Sequence, residues 1–222
     1  MKNNWKKIMA AGAALLGCFV LWTVLIMTVD VQPVGQNGTN IGFAAFNTWF
    51  HQLTGVHMTI YTITDWLGLV PIVICICFGF LGLTQLIRRK SLKKVDADIL
   101  LLGIYYILVI VGYLVFEMIP INYRPIPIDG HMEASYPSST TLLVLSVMPT
   151  LKFQADRRSG SKTARTAATV FVVAFSAFMV IGRTISGVHW ATDIIGSVLL
   201  SAGLFLLYLA AVSRADEKKQ LR

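Results

Sequence analysis

The sequence predicts an all-α integral membrane protein with six transmembrane helices. Two observations carry that expectation. The 222-residue chain is 55% hydrophobic and only 14% charged, which is too little charge to coat a soluble domain of this length. Its apolar residues also gather into long runs, with 17 of the 19 lysines and arginines in four clusters between or beyond those runs. A net charge of +8 would fit a nucleic-acid partner if it lay on one face. Clusters that punctuate apolar runs instead report membrane topology, and nucleic acid is excluded as a partner on that ground.

Residues 8–29 form the first run, behind Lys2, Lys6 and Lys7. The run is too long for a secretory signal core, and Asp30-Val31-Gln32-Pro33 offers no small-residue cleavage site, so it reads as a first span with a cytoplasmic N-terminus. Residues 32–40 hold Pro, Gly and Asn, a turn composition. Residues 41–53 mix Phe43, Phe46, Trp49 and Phe50 with polar side chains and predict an interfacial amphipathic helix, with His51 as a polar tip there and His57 just beyond it. Spans follow at 66–87 and 99–119, a short one at 138–151, and two more at 166–181 and 190–212. The linker 152–165 reads as a basic loop and 213–222 as a charged tail. Cys18, Cys75 and Cys77 all lie within apolar runs and read as small apolar side chains. The expectation is a single membrane domain over 1–222, in the plasma or inner membrane, with both termini and all four basic clusters cytoplasmic.

Under that topology only Arg124 and Arg183 lie on the outer side, and both sit near polar segments. Paired guanidinium groups suit phosphate, since each offers two parallel N–H donors. Pro137 followed by Ser138, Ser139, Thr140 and Thr141 predicts a helix N-terminus, where free amides favour an anion; a simple serine cap with small-residue packing is the equal alternative. Between the last two spans, Gly182–Asp193 holds Arg183, His189 and Asp193. His189 and Asp193 are four apart, a spacing that lets the carboxylate hold one ring nitrogen and leave the other for attack on phosphorus. The plain alternative is an Arg–Asp pair inside the bundle with a satisfied histidine.

These residues resemble the type-2 phosphatidic acid phosphatases, relatives of the vanadium haloperoxidases. That family carries Lys-x6-Arg-Pro, then Pro-Ser-Gly-His, then Ser-Arg-x5-His-x3-Asp. The counterparts here are Glu117 six residues before Arg124-Pro125, then Pro137-Ser138-Ser139-Thr140, and Gly182-Arg183 followed at the same spacing by His189 and Asp193. The resemblance covers about residues 60–212. It implies a helical-bundle core, a phosphohistidine on His189 oriented by Asp193, and a lipid-phosphate substrate met on the extracytoplasmic side. Arg124, Arg183, Ser138 and the following amides would hold the phosphate, with no metal and no cofactor.

Three positions depart from the family pattern. Glu117 stands for the lysine, Thr140 for the histidine that protonates the leaving group, and Gly182 for a serine. A threonine is a poor general acid, and losing such a group costs roughly 10²–10⁴ in rate. His131, Glu133 or Asp129 in the outer loop are the candidate replacements, His131 first, and Glu117 is a candidate partner of Arg124 or of a cationic head group. The expectation is a phosphatase acting on a phosphate monoester or a diphosphate, such as a polyprenyl diphosphate or a phosphatidate. A weakened lipid-phosphate binding protein and a phospho-head-group transferase are the alternatives.

Overall fold

The computed structural model describes residues 4–221. Lys2 and Arg222, counted above in the basic clusters, lie outside them. The described residues form α1 (Asn4–Thr28), α2 (Ala44–Thr54), α3 (Met58–Leu67), α4 (Leu69–Arg89), α5 (Ala97–Met118), α6 (Ser139–Arg158), α7 (Lys162–Ile185) and α8 (Ala191–Gln220). The described residues include no strand, only isolated bridges such as Tyr123–Ala134 and Ile128–His131.

Five stretches are long and apolar enough to cross a bilayer: α1, α3 with α4, α5, α7 and α8. The protein is therefore a multi-pass membrane protein. The expected fourth span is different. As α6 it has 20 residues, but it buries Thr141, Ser146, Thr150 and Gln154 and carries Pro149, and its composition is too polar for a lipid-facing helix. Protein surrounds it instead of lipid, which is what lets those hydroxyls be present.

Helix α8 is the axis of the bundle, with α1, α5 and α6 packed against it. Along α1 the approach is close because Gly203 has no side chain: a Cβ there would stand 2.7 Å from Leu16 Cδ2. Near the site Trp22 Nε1 donates to the Thr192 carbonyl at 3.1 Å, and Thr23 Oγ1 lies 2.7 Å from the Tyr136 hydroxyl. The first span is thus built into the bundle. The amphipathic helix expected near 41–53 is α2, with Phe46, Trp49 and Leu53 exposed and Asn47 fully buried.

Two boundaries differ from expectation, for one reason. The basic linker 152–165 is mostly helical, since α6 runs to Arg158 and α7 starts at Lys162, and the charged tail continues α8. Ion pairs at this end satisfy the charges without a loop. Arg158 bonds Asp96 at 3.1 Å and Asp98 at 2.8 Å, and Arg157 bonds Asp216 at 2.7 Å. Asp96, also 2.7 Å from Arg89, is held down at a pKa of about 2, chiefly by that guanidinium.

Candidate active site

The α7–α8 connection is held by contacts along its whole length. Arg183 lies in the last turn of α7, and Ser186 N–H closes that turn onto the Gly182 carbonyl at 2.9 Å. Gly187 then takes φ +71°, and its backbone lies so near Gly55 that a Cβ would stand 2.1 Å from the Gly55 carbonyl oxygen. His57 N–H donates to Ser186 O at 3.0 Å, and His51 Nε2 lies 3.1 Å from Gly187 O. Asn47 meets Thr192 with its amide, donating to the hydroxyl at 3.0 Å. The α2 region therefore clamps this loop, where the sequence suggested only interfacial tips for His51 and His57. Gly187→Ala combines strain with a backbone clash, and destabilisation above ~1 kcal/mol is expected, read as a lowered Tm in detergent.

His189 sits at 4% exposure at the end of that loop. Its Nδ1 lies 3.1 Å from Ser135 Oγ and 3.2 Å from the Ser135 carbonyl oxygen. The Ser135 hydroxyl in turn donates to Asp193 Oδ2. Asp193 also accepts from Asn122 Nδ2 at 3.1 Å and from the Trp190 amide at 2.9 Å, the latter as the third residue of α8 closing its own N-terminus. From there the carboxylate is 3.9 Å from His189 Nδ1. Direct orientation of His189 by Asp193, expected from the spacing, is thus replaced by a relay through Ser135. With Ser135 donating to Asp193, Nδ1 carries the proton and the lone pair is on Nε2. That atom is buried and has no hydrogen-bond partner.

Burial, and then the charges of Arg124 and Arg183, hold the His189 imidazolium well below the usual histidine range. The ring accordingly stays neutral as pH falls through 6.5. The acid limb of kcat/KM, which reports the free protein, is expected below that value; a limb at or above it would contradict the buried, doubly flanked geometry. Ser135→Ala leaves Nδ1 only the backbone carbonyl. A fall of about tenfold in kcat with little change in KM is the expected result, given roughly 0.5–1.5 kcal/mol for one such bond.

Residues 119–138 bring Arg124 to the same place by folding back antiparallel. Arg124 N–H donates to Glu133 O at 3.1 Å and Ser135 N–H to Asn122 O at 3.0 Å. Arg124 Nη2 pairs with Glu133 Oε2 at 3.0 Å. Arg183, only 1% exposed, donates from Nη2 to Thr140 Oγ1 at 2.7 Å. The Tyr61 ring holds both guanidinium groups, with Cζ of Arg183 4.8 Å and of Arg124 5.8 Å from its centroid. Arg124 Nε, Arg124 Nη1 and Arg183 Nε are buried without a partner, as is His189 Nε2. Buried donors are ordinarily satisfied, and three guanidinium N–H groups beside a free imidazole lone pair match an anion with several acceptor oxygens around an electrophilic atom.

The expected residues divide in three. Arg124, Arg183 and His189 gather as described, and Asp193 stands behind Ser135. Ser138 lies at the start of α6 fully buried, but its hydroxyl donates to Thr141 Oγ1 at 3.1 Å while its amide reaches Asp193 O at 3.4 Å. Ser139 and Thr140 follow, half-buried in the first turn of α6, Thr140 on Arg183. Glu117 is exposed on α5, and Arg124 pairs with Glu133 in its place, because the fold-back of 119–138 puts Glu133 across from Arg124. His131 is exposed at the turn of that fold-back. Gly182 has a physical reason: a Cβ there would come within 2.7 Å of the Thr64 methyl.

Sequence reasoning missed Ser135, Asn122, Asn47 and the whole contribution of α3, namely Tyr61, Thr64 and Asp65. Starting the second span at 66 left α3 without a role. One signal was available in Asp65, a carboxylate at the mouth of an apolar run.

A buried imidazole with an unpartnered Nε2, beside two guanidinium groups at one end of a membrane helix bundle, is an arrangement chemically suited to an anion. The PAP2 superfamily model matches residues 120–217, which include Arg124, Ser135, Arg183, His189 and Asp193, so this part of the chain is similar to that superfamily. Among solved structures it is similar to the crystal structure of a transmembrane PAP2-type phosphatidylglycerolphosphate phosphatase from Bacillus subtilis. Identity is 18% and the TM-score 0.63, over 93% of this chain and 96% of that one. The likeness of fold therefore extends beyond 60–212 into α1 and α2. No curated protein matches the sequence.

Proposed function

We propose that the protein is a membrane phosphatase that hydrolyses a lipid phosphate monoester or diphosphate through a phosphohistidine on His189. The observation that carries this is the unpartnered set of Arg124 Nε and Nη1, Arg183 Nε and His189 Nε2. The guanidinium groups would hold phosphoryl oxygens while Nε2 attacks phosphorus, and Ser135 with Asp193 would stabilise the imidazolium that forms. An apolar groove lined by Ile72, Val109, Ile110, Tyr113 and Leu143 reaches Ser139 and Thr140, which suits an acyl or prenyl chain. The PAP2 superfamily match over residues 120–217 and the likeness to a phosphatidylglycerolphosphate phosphatase support a lipid substrate.

Thr140 donates no useful proton, and both nearby carboxylates, Glu133 and Asp65, lie against guanidinium groups. A leaving group that departs unprotonated fits this site best, which favours a diphosphate such as a polyprenyl diphosphate over a monoester. On this reading α6 is a sixth crossing helix, and positive-inside bias puts the site on the extracytoplasmic face with both ends of the chain in the cytoplasm. Purified protein is tested against phosphatidate, phosphatidylglycerol phosphate, and short and long polyprenyl diphosphates. Release of inorganic phosphate, fastest from a diphosphate, is expected; no release from any of them overturns the reading.

The replaced histidine also supports a second reading, a lipid-phosphate binding protein with little turnover. It predicts saturable binding of the same lipids without release. Transfer of the head group to an acceptor lipid would instead identify a transferase.

A further inference from the structure

Two carboxylates flank the guanidinium pair, and they are not equivalent. Glu133 is engaged with Arg124 at 3.0 Å. Asp65 Oδ1 lies 3.6 Å from Arg183 Nη2, close enough for attraction but too far for a hydrogen bond, with its side chain 56% exposed. The same Nη2 donates to Thr140 at 2.7 Å. Asp65 belongs to the last turn of α3, and Gly68 just beyond it touches both segments: its Cβ position lies 2.8 Å from Asp65 O and 3.4 Å from Thr140 Cγ2. The carboxylate is therefore exposed beside the guanidinium pair, on the side of Thr140.

We propose that Asp65 is the base for the second half of the reaction, an inference that rests on the phosphatase reading above. In the first half, His189 Nε2 bonds to phosphorus as the bond to the leaving oxygen breaks, and that oxygen keeps the electron pair. In the second half, a water oxygen bonds to phosphorus while Asp65 takes one water proton. The P–N bond breaks, its electron pair returns to Nε2, and inorganic phosphate leaves. Asp65 then gives its proton to solvent, which its exposure allows. A carboxylate near a guanidinium serves as a proton acceptor here, in the hydrolytic half alone, beside Thr140, which cannot act as one.

The full-length protein in detergent, given a polyprenyl diphosphate labelled with ³²P at the terminal phosphate, separates the two halves. In Asp65→Asn the label is expected to enter the protein in the first turnover and to accumulate as acid-labile phosphohistidine, with steady-state release reduced ~10²-fold or more. Asp65→Glu, which keeps the carboxylate, recovers part of the release. Asp65→Asn with release within a few-fold of wild type overturns the inference. So does equal slowing of labelling and release without accumulation, which would make Asp65 a positioning residue for Arg183. If wild-type protein releases no phosphate, the phosphatase reading fails, and this one with it.

Discussion

His189→Ala is expected to lower phosphate release on the order of 10⁴–10⁶-fold, to the background of the assay. In the proposed mechanism the imidazole is the nucleophile, and its Nε2 is buried without a hydrogen-bond partner. The structural cost of the change is separable from the chemical one. Nε2 has no partner to lose, and Nδ1 gives up one shared interaction with Ser135, worth ~1 kcal/mol. Lipid-phosphate binding should persist, since Arg124 and Arg183 remain. The decisive comparison sets release against binding in the same preparation: release that survives in His189→Ala assigns the chemistry elsewhere, and binding lost together with release points to collapse of the site.

Arg183→Met is expected to lower activity by roughly 10²–10³ while leaving Tm unchanged or raising it. The two effects have a single cause. Arg183 is a buried charge beside a second arginine, and its nearest carboxylate is 3.6 Å away. Its hydrogen bonds to Thr140 and Thr64, at 2.7 and 3.5 Å, and the Tyr61 face offset only part of that burial. A methionine fills similar volume without the charge. Arg183→Lys keeps the charge but not the planar fork, and intermediate activity follows from that. A lower Tm in Arg183→Met, with activity falling in proportion, would assign the residue to structure instead of phosphate.

These effects turn on contacts of unequal visibility in the sequence. His189 and Arg183 stand in one short stretch whose spacing, together with its depth in apolar sequence, marks them out. Arg124 was found by charge topology, as one of two basic residues off the cytoplasmic side. The groups that make them work were harder to see. Ser135 and Asn122 are ordinary polar residues in a polar loop, and only the antiparallel return of 119–138 brings them to His189 and Asp193. The same return matches Arg124 with Glu133, where spacing had suggested Glu117. The α3 helix was hidden by the apolar run that follows it, so Tyr61 and Asp65 had no assigned role.

By itself the sequence determined the membrane character, the positions of the apolar helices, and which histidine and arginines stand in polar surroundings. Hydropathy, charge bias and spacing along one segment are local properties, and they survive without a fold. The tertiary structure alone decided that Ser135 stands between Asp193 and His189, that α2 clamps the α7–α8 loop, that α6 is sheltered enough to carry hydroxyls, and that Asp65 faces Arg183. Each of these joins segments far apart in the chain through contacts of 3–4 Å. Such distances follow from how helices pack around α8, and side-chain packing of that kind leaves no periodic mark in the sequence.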